Sequence, residues 1–86
     1  MELDLDPEEL RAVRNRLSRA NGQLTAIIRM LDEGSECQDV VTQLAAVSKA
    51  LDRAGFALIS TQLQHCIAAG TEPDRKQLEK LFLSLA

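Results

Sequence analysis

ECQDVVTQLAAVSKALDRAGFALISTQLQHCIAA, residues Glu36 to Ala69, contains one glycine, Gly55, and no proline. Its apolar residues Val40, Val41, Leu44, Val47, Leu51, Ala54, Leu58, Ile59, Leu63 and Ile67 recur mostly three or four positions apart and cover more than a narrow stripe. That spacing predicts one helix, apolar on a broad face. Ser35 with Gln38 three positions on reads as the capping box that opens it. At 1.5 Å per residue the helix is about 50 Å long. A chain of 86 residues has no monomeric core deep enough to cover such a face, so oligomerisation is expected.

The flanking segments read as two further helices. Asp6 can cap, Pro7 suits a first turn and Glu9 completes a capping box. Leu10, Val13, Leu17, Ala20, Leu24, Ile27 and Leu31 then form a seam of alternating three- and four-residue spacings, which Gly34 ends. This predicts a first helix from about Pro7 to about Glu33. After Gly70, Thr71 and Asp74 with Pro73 in the first turn are expected to open a short third helix, with Leu78, Leu81, Phe82 and Leu85 on its apolar side. No strand signal, repeat or low-complexity segment breaks the pattern. The expected fold class is all-α: a single domain over 1–86, with two long helices and a short C-terminal one.

Apolar residues make up 45% and charged residues 27% of the chain, which suits a folded protein and not a disordered one. No run of eighteen apolar residues is present, so no membrane association is expected. The N-terminus MELDLDPEE is acidic where a signal peptide would be basic and then apolar. A cytoplasmic location is therefore expected, and there two cysteines are a poor disulfide framework. One histidine and no acid, base and nucleophile constellation argue against an enzyme.

The net charge of −3 argues against a polyanionic partner, but the distribution reverses that impression. Arg11, Arg14, Arg16, Arg19 and Arg29 lie between Leu10 and Leu31, a stretch with no acidic residue, while acids gather in the first nine residues and around Asp32 to Asp39. Lys49 and Arg53, one turn apart on the second helix, add a basic pair. Such residues can hold duplex phosphates, although a row of arginines is also what an ordinary solvated face carries. With no Trp or Tyr and only Phe56 and Phe82, the chain lacks the stacking platform of single-strand and RNA readers.

Cys37 and Cys66 are 29 residues apart, which on an α-helix comes within roughly 20° of whole turns. Gln62 lands about 20° to the other side, so all three share one face. The two thiols are nevertheless separated by about 43 Å along the axis and cannot meet within one helix. Two copies of the helix packed antiparallel about a two-fold axis would bring Cys37 of each level with Cys66 of the other, giving two identical pairs. The plainer alternative is that each cysteine is an ordinary small core residue. Cys37 lies in a first turn, where unpaired N–H groups favour an anion against the opposition of Glu36 and Asp39, whereas Cys66 lies near the helix end. Cys37 is the expected nucleophile and Cys66 the expected resolving thiol.

NRLSRANGQLTAIIRMLDEG (Asn15 to Gly34), CQDVVTQLAAVSKAL (Cys37 to Leu51) and LQHC (Leu63 to Cys66) resemble the copper-sensitive operon repressor (CsoR) family of all-helical bacterial repressors. The resemblance implies three-helix protomers that form an antiparallel dimer and then a tetramer. It also implies binding to operator double-stranded DNA, released when an effector occupies the cysteine site, with no cofactor. Among Arg14, Arg16, Arg19, Lys49 and Arg53, the candidate DNA-binding residues, Arg16 and Arg53 match positions that the family uses for DNA.

The copper-sensing branch has a histidine four residues before the second cysteine. Here that position is Gln62, whose amide cannot replace imidazole as a soft-metal ligand. His65, beside Cys66, points about 100° away on the helix and is expected to be bonded to nearby groups on the helix flank. Two cysteines without that histidine resemble the persulfide-sensing CstR branch, whose thiols react with sulfane sulfur and become linked across subunits. The expectation is thus a repressor with a small sulfur species as effector and no metal site. The alternatives are a Cu(I) sensor using Cys37 and Cys66 alone, and a helical assembly or partner-binding module that does not bind DNA.

Overall fold

The computed structural model describes residues 3–86. Met1 and Glu2, part of the acidic N-terminus, lie outside the described residues. Among those described there are three helices and no strand: α1 (Pro7–Glu33), α2 (Cys37–Ala68) and α3 (Arg75–Leu85).

The start of α1 is fixed by side chains that satisfy N–H groups the helix itself cannot. The Asp6 carboxylate accepts from the Glu9 N–H at 2.8 Å and the Glu9 carboxylate accepts from the Asp6 N–H at 3.1 Å, with Pro7 as the first helical residue. The end is fixed by Gly34, whose φ of 74° is the left-handed conformation glycine adopts without strain. Its N–H reaches the Leu31 carbonyl and the Ser35 N–H reaches that of Met30 at 3.0 Å, a closure that satisfies two carbonyls at once.

That closure corrects the expected start of α2. Because Ser35 is committed to ending α1, the N-cap of α2 is Glu36, which makes no side-chain cap bond, and Cys37 is the first helical residue. The Ser35–Gln38 box does not form. α3 differs in a similar way. Its cap is Asp74, accepting from the Gln77 N–H at 3.1 Å. Thr71 instead closes α2, both its N–H and its hydroxyl donating to the Cys66 carbonyl. Pro73 disfavours helical conformation at Glu72 before it, so the helix begins beyond the proline and not around it.

α1 and α2 form an antiparallel hairpin, and α3 folds back on α2 alone. The Phe56 and Phe82 rings stack at 5.8 Å. A Cβ at Gly55 would come within 2.8 Å of Leu85, so the glycine lets α3 approach closely. The buried residues are few: Ala20, Ile27, Val40, Val47, Ala54 and Ile59. The α1 seam therefore divides. Ala20 and Ile27 pack against α2, while Leu10, Leu17, Leu24 and Leu31, seven residues apart, stay exposed, Leu31 at 62%. Val41, Leu44 and Leu51 of α2 and Phe82 and Leu83 of α3 are also exposed, and α3 buries no residue at all.

The chain measures 54 × 27 × 14 Å, with a radius of gyration of 16.4 Å. A compact chain of this length would have one of about 12 Å. The chain forms a thin slab, with apolar stripes left on its surface.

Candidate thiol site and basic surface

α2 is unbroken from Cys37 to Ala68, so the two cysteines stand at its opposite ends. Both are free, Cys37 exposed and Cys66 half-buried. Within the protomer the structure does not bring them together. Among the described residues, no three His, Cys, Asp or Glu side chains converge as a metal-binding group.

The neighbours of Cys66 are engaged by the start of the chain. The Gln62 carbonyl oxygen accepts from the Asp4 N–H at 3.0 Å. His65 Nε2 lies 2.7 Å from a Glu9 carboxylate oxygen, and its Nδ1 lies 3.7 Å from the Asp4 carboxylate. The hydrogen bond to Glu9 raises the affinity of the imidazole for its proton above the ordinary histidine value. Partial burial opposes the shift, and the charges of Glu9, Asp4 and Asp6 add to it. Asp6 is held below the usual carboxylate range, chiefly by the Glu9 N–H that it caps.

The partners expected for His65 are nearby groups on the helix flank. Its partners lie about sixty positions away in the chain, and it is held on the α1 side of α2. In the sequence Glu9 has the pattern of a capping residue only, and Asp4 has no pattern that marks it. No spacing rule relates either residue to position 65, so the sequence carried no signal for the contact. The same segment places Leu3 beside Gly55, Leu58, Ile59, Leu81 and Leu85, around an apolar cavity of about 300 Å³ between α2 and α3.

The candidate DNA-binding residues divide between two concavities. Arg16 and Arg19 of α1 and Arg53 of α2 line one cleft together with Gln23, although 34 positions separate Arg19 from Arg53. Arg14 lies with Arg11, Asn15 and Ser18 along another, nearer the N-terminus. Lys49 is exposed one turn before Arg53. All five candidates are solvent-facing, so their charges meet no desolvation cost that would require partners within the protomer.

The hairpin of two long helices thus carries a thiol at each end of its second helix and arginines from both helices in one cleft. The family described as metal-sensitive transcriptional repressor matches residues 9–85. The chain belongs to this repressor family. The family is one of transcriptional regulators and not of enzymes. Over 70 residues, 81% of this chain and 60% of the relative, the chain is 40% identical to the copper-sensing transcriptional repressor CsoR of Mycobacterium ulcerans. It is 42% identical to the copper-sensing transcriptional repressor RicR of Mycobacterium tuberculosis over 52 residues, 60% of this chain and 54% of the relative. With the uncharacterized protein YrkD of Bacillus subtilis it shares 46% identity over 43 residues, 50% of this chain and 68% of the relative. The chain thus spans less than two thirds of the length of either copper-sensing relative. No solved structure matches it. Among the described residues of this repressor-family chain, no helix is long and apolar enough to cross a membrane.

Proposed function

We propose that this chain is a DNA-binding transcriptional repressor, acting as a dimer of antiparallel dimers, whose effector site is Cys37 of one protomer paired with Cys66 of another. The observation that carries the reading is α2: one unbroken helix with a thiol at each end, in a thin chain that leaves apolar stripes exposed, which a second copy would cover. Antiparallel pairing covers those stripes and brings the ends level in one step. Arg16, Arg19 and Arg53 supply the phosphate contacts, repeated in every protomer, so affinity comes from number and not from any single side chain.

The effector under this reading is sulfane sulfur. A polysulfide transfers one sulfur atom to the Cys37 thiolate, leaving a polysulfide one sulfur shorter and a persulfide on Cys37. The Cys66 thiolate of the partner attacks the inner sulfur of that persulfide. A disulfide forms between the chains, the single S–S bond of the persulfide breaks and hydrosulfide leaves. Gln62 supports the choice of sulfur over metal, because an amide is a poor soft-metal ligand and its carbonyl oxygen is already occupied by the Asp4 N–H.

A second reading, Cu(I) held by the two thiolates, is favoured by the copper-sensing relatives, since thiolates are soft ligands suited to Cu(I). One experiment separates the two. Wild type, Cys37→Ser and Cys66→Ser are treated with polysulfide or stoichiometric Cu(I), then run on non-reducing gels and assayed on operator duplex. Polysulfide should cross-link wild type into dimers and release its DNA, with neither change in either variant. Release by Cu(I) while polysulfide leaves DNA bound would replace the sulfur reading with the copper one.

A further inference from the structure

We propose that the N-terminal segment and Glu9 form a latch that carries the state of Cys66 to the arginine-bearing helix α1, through the Glu9–His65 contact and the seat of Asp4 on Gln62. The inference rests on the reading of Cys66 as half of the effector site and supplies the link to DNA that this reading needs.

The two ends of the α1–α2 hairpin are held by different means. At the turn, Ile27, Val40 and Val47 form a buried cluster with Met30 against it. Towards the other end the buried residues among those described are Ala20 of α1 and Ala54 and Ile59 of α2, and the two alanines offer little packing to resist tilting. Beyond half-buried Val13, α1 is tied to α2 by the 2.7 Å contact between Glu9 and His65. The Asp4 N–H on Gln62 extends the same tie. A hydrogen bond weakens steeply as its distance and angle depart from ideal, so this end responds to displacements that an apolar contact would absorb.

The latch also has the right neighbours. His65 and Gln62 lie one and four positions before Cys66 on the same rigid helix, so a movement of the last turns of α2 that seats Cys66 against another protomer's thiol moves both latch partners with it. Glu9 is in the first turn of α1, and Arg11, Arg14, Arg16 and Arg19 follow within about three turns. A change in how the start of α1 sits on α2 therefore changes where those guanidinium groups point. The thiol site needs no direct contact with DNA to alter its binding.

The test uses the full chain, reduced and polysulfide-linked, as wild type, His65→Ala, Glu9→Gln and the double variant. Glu9→Gln keeps a residue able to complete the capping box, and His65→Ala leaves the cap untouched, so helicity and sedimentation should match wild type. The quantity read is the ratio of duplex affinities, reduced over linked. His65→Ala should form the same cross-link while its ratio falls at least about fivefold, the lower end of usual allosteric couplings. Glu9→Gln should lower the ratio less, and the double variant should not fall beyond His65→Ala, because the two residues share one contact. A His65→Ala protein that links and releases DNA as wild type does overturns the latch and leaves the sulfur reading standing. A wild type that does not link overturns the sulfur reading itself. In that case the same ratio read with and without Cu(I) decides the latch, which is overturned if His65→Ala leaves that ratio unchanged.

Discussion

The turn end and the open end of the α1–α2 hairpin are built from the same two helices and held by opposite physics. At the turn, Gly34 reverses the chain and a buried aliphatic cluster of Ile27, Val40 and Val47 holds the helices together. Towards the open end the buried residues are the small Ala20 and Ala54 with Ile59, and α1 is then tied to α2 through a histidine gripped by carboxylates. The first arrangement is nearly indifferent to pH and small shifts, while the second is sensitive to both. Stability and responsiveness are thus segregated along one hairpin, with one thiol at each end.

The largest expected effect comes from breaking the turn end. Ile27→Ala should cost about 2–5 kcal/mol in urea unfolding, the range for a large aliphatic residue removed from a packed site. A protomer with so few buried residues would lose much of its stability. His65→Ala at the open end should cost clearly less than Ile27→Ala, because both partners of the contact can turn to water. Equal losses at the two sites would end the comparison.

Native-state hydrogen exchange tests the same contrast without a mutation. Amides in the second and third turns of α1, near Val13, should exchange at least about tenfold faster than those around Ile27, since local opening follows the density of buried contacts. Uniform protection along α1 would mean that the open end is not the looser one.

The basic cleft lies between the two ends and separates binding from stability. Arg16→Ala and Arg53→Ala should each weaken duplex binding several-fold and flatten its salt dependence, by about one in log–log slope for each phosphate contact removed. Circular dichroism and sedimentation should not change, because both side chains are exposed. Unaltered binding at every salt concentration would move the DNA surface elsewhere.

The smallest expected effect is electrostatic. The folded imidazole of His65 binds its proton more tightly than an unfolded one. Its contribution to stability is therefore complete below the ordinary histidine value and lost as pH rises through the raised one. Asp6 runs the other way: its contribution is present above the ordinary carboxylate value and lost as pH falls through the lowered one. Nuclear magnetic resonance titration should place His65 above ordinary histidine in wild type and closer to it in Glu9→Gln.

Local rules were enough to read the three helices, the Asp6–Glu9 box and the Gly34 stop, because each depends on residues within four positions of one another. The expected shared face of Cys37, Gln62 and Cys66 is local in the same sense, being the arithmetic of one helix. Local rules failed where a residue had two possible duties. Ser35 and Thr71 both resemble caps of the helix that follows, and both are taken up in closing the helix before, a choice settled by how the chain turns. Periodicity also placed Leu10 to Leu31 on one seam without saying which half would be covered, since a helix face is defined by its sequence and its burial by whatever lies against it. Only the tertiary structure put Arg53 in a cleft with Arg16 and Arg19 and His65 against Glu9. Contacts between residues tens of positions apart arise when the hairpin closes and leave no trace in any local pattern.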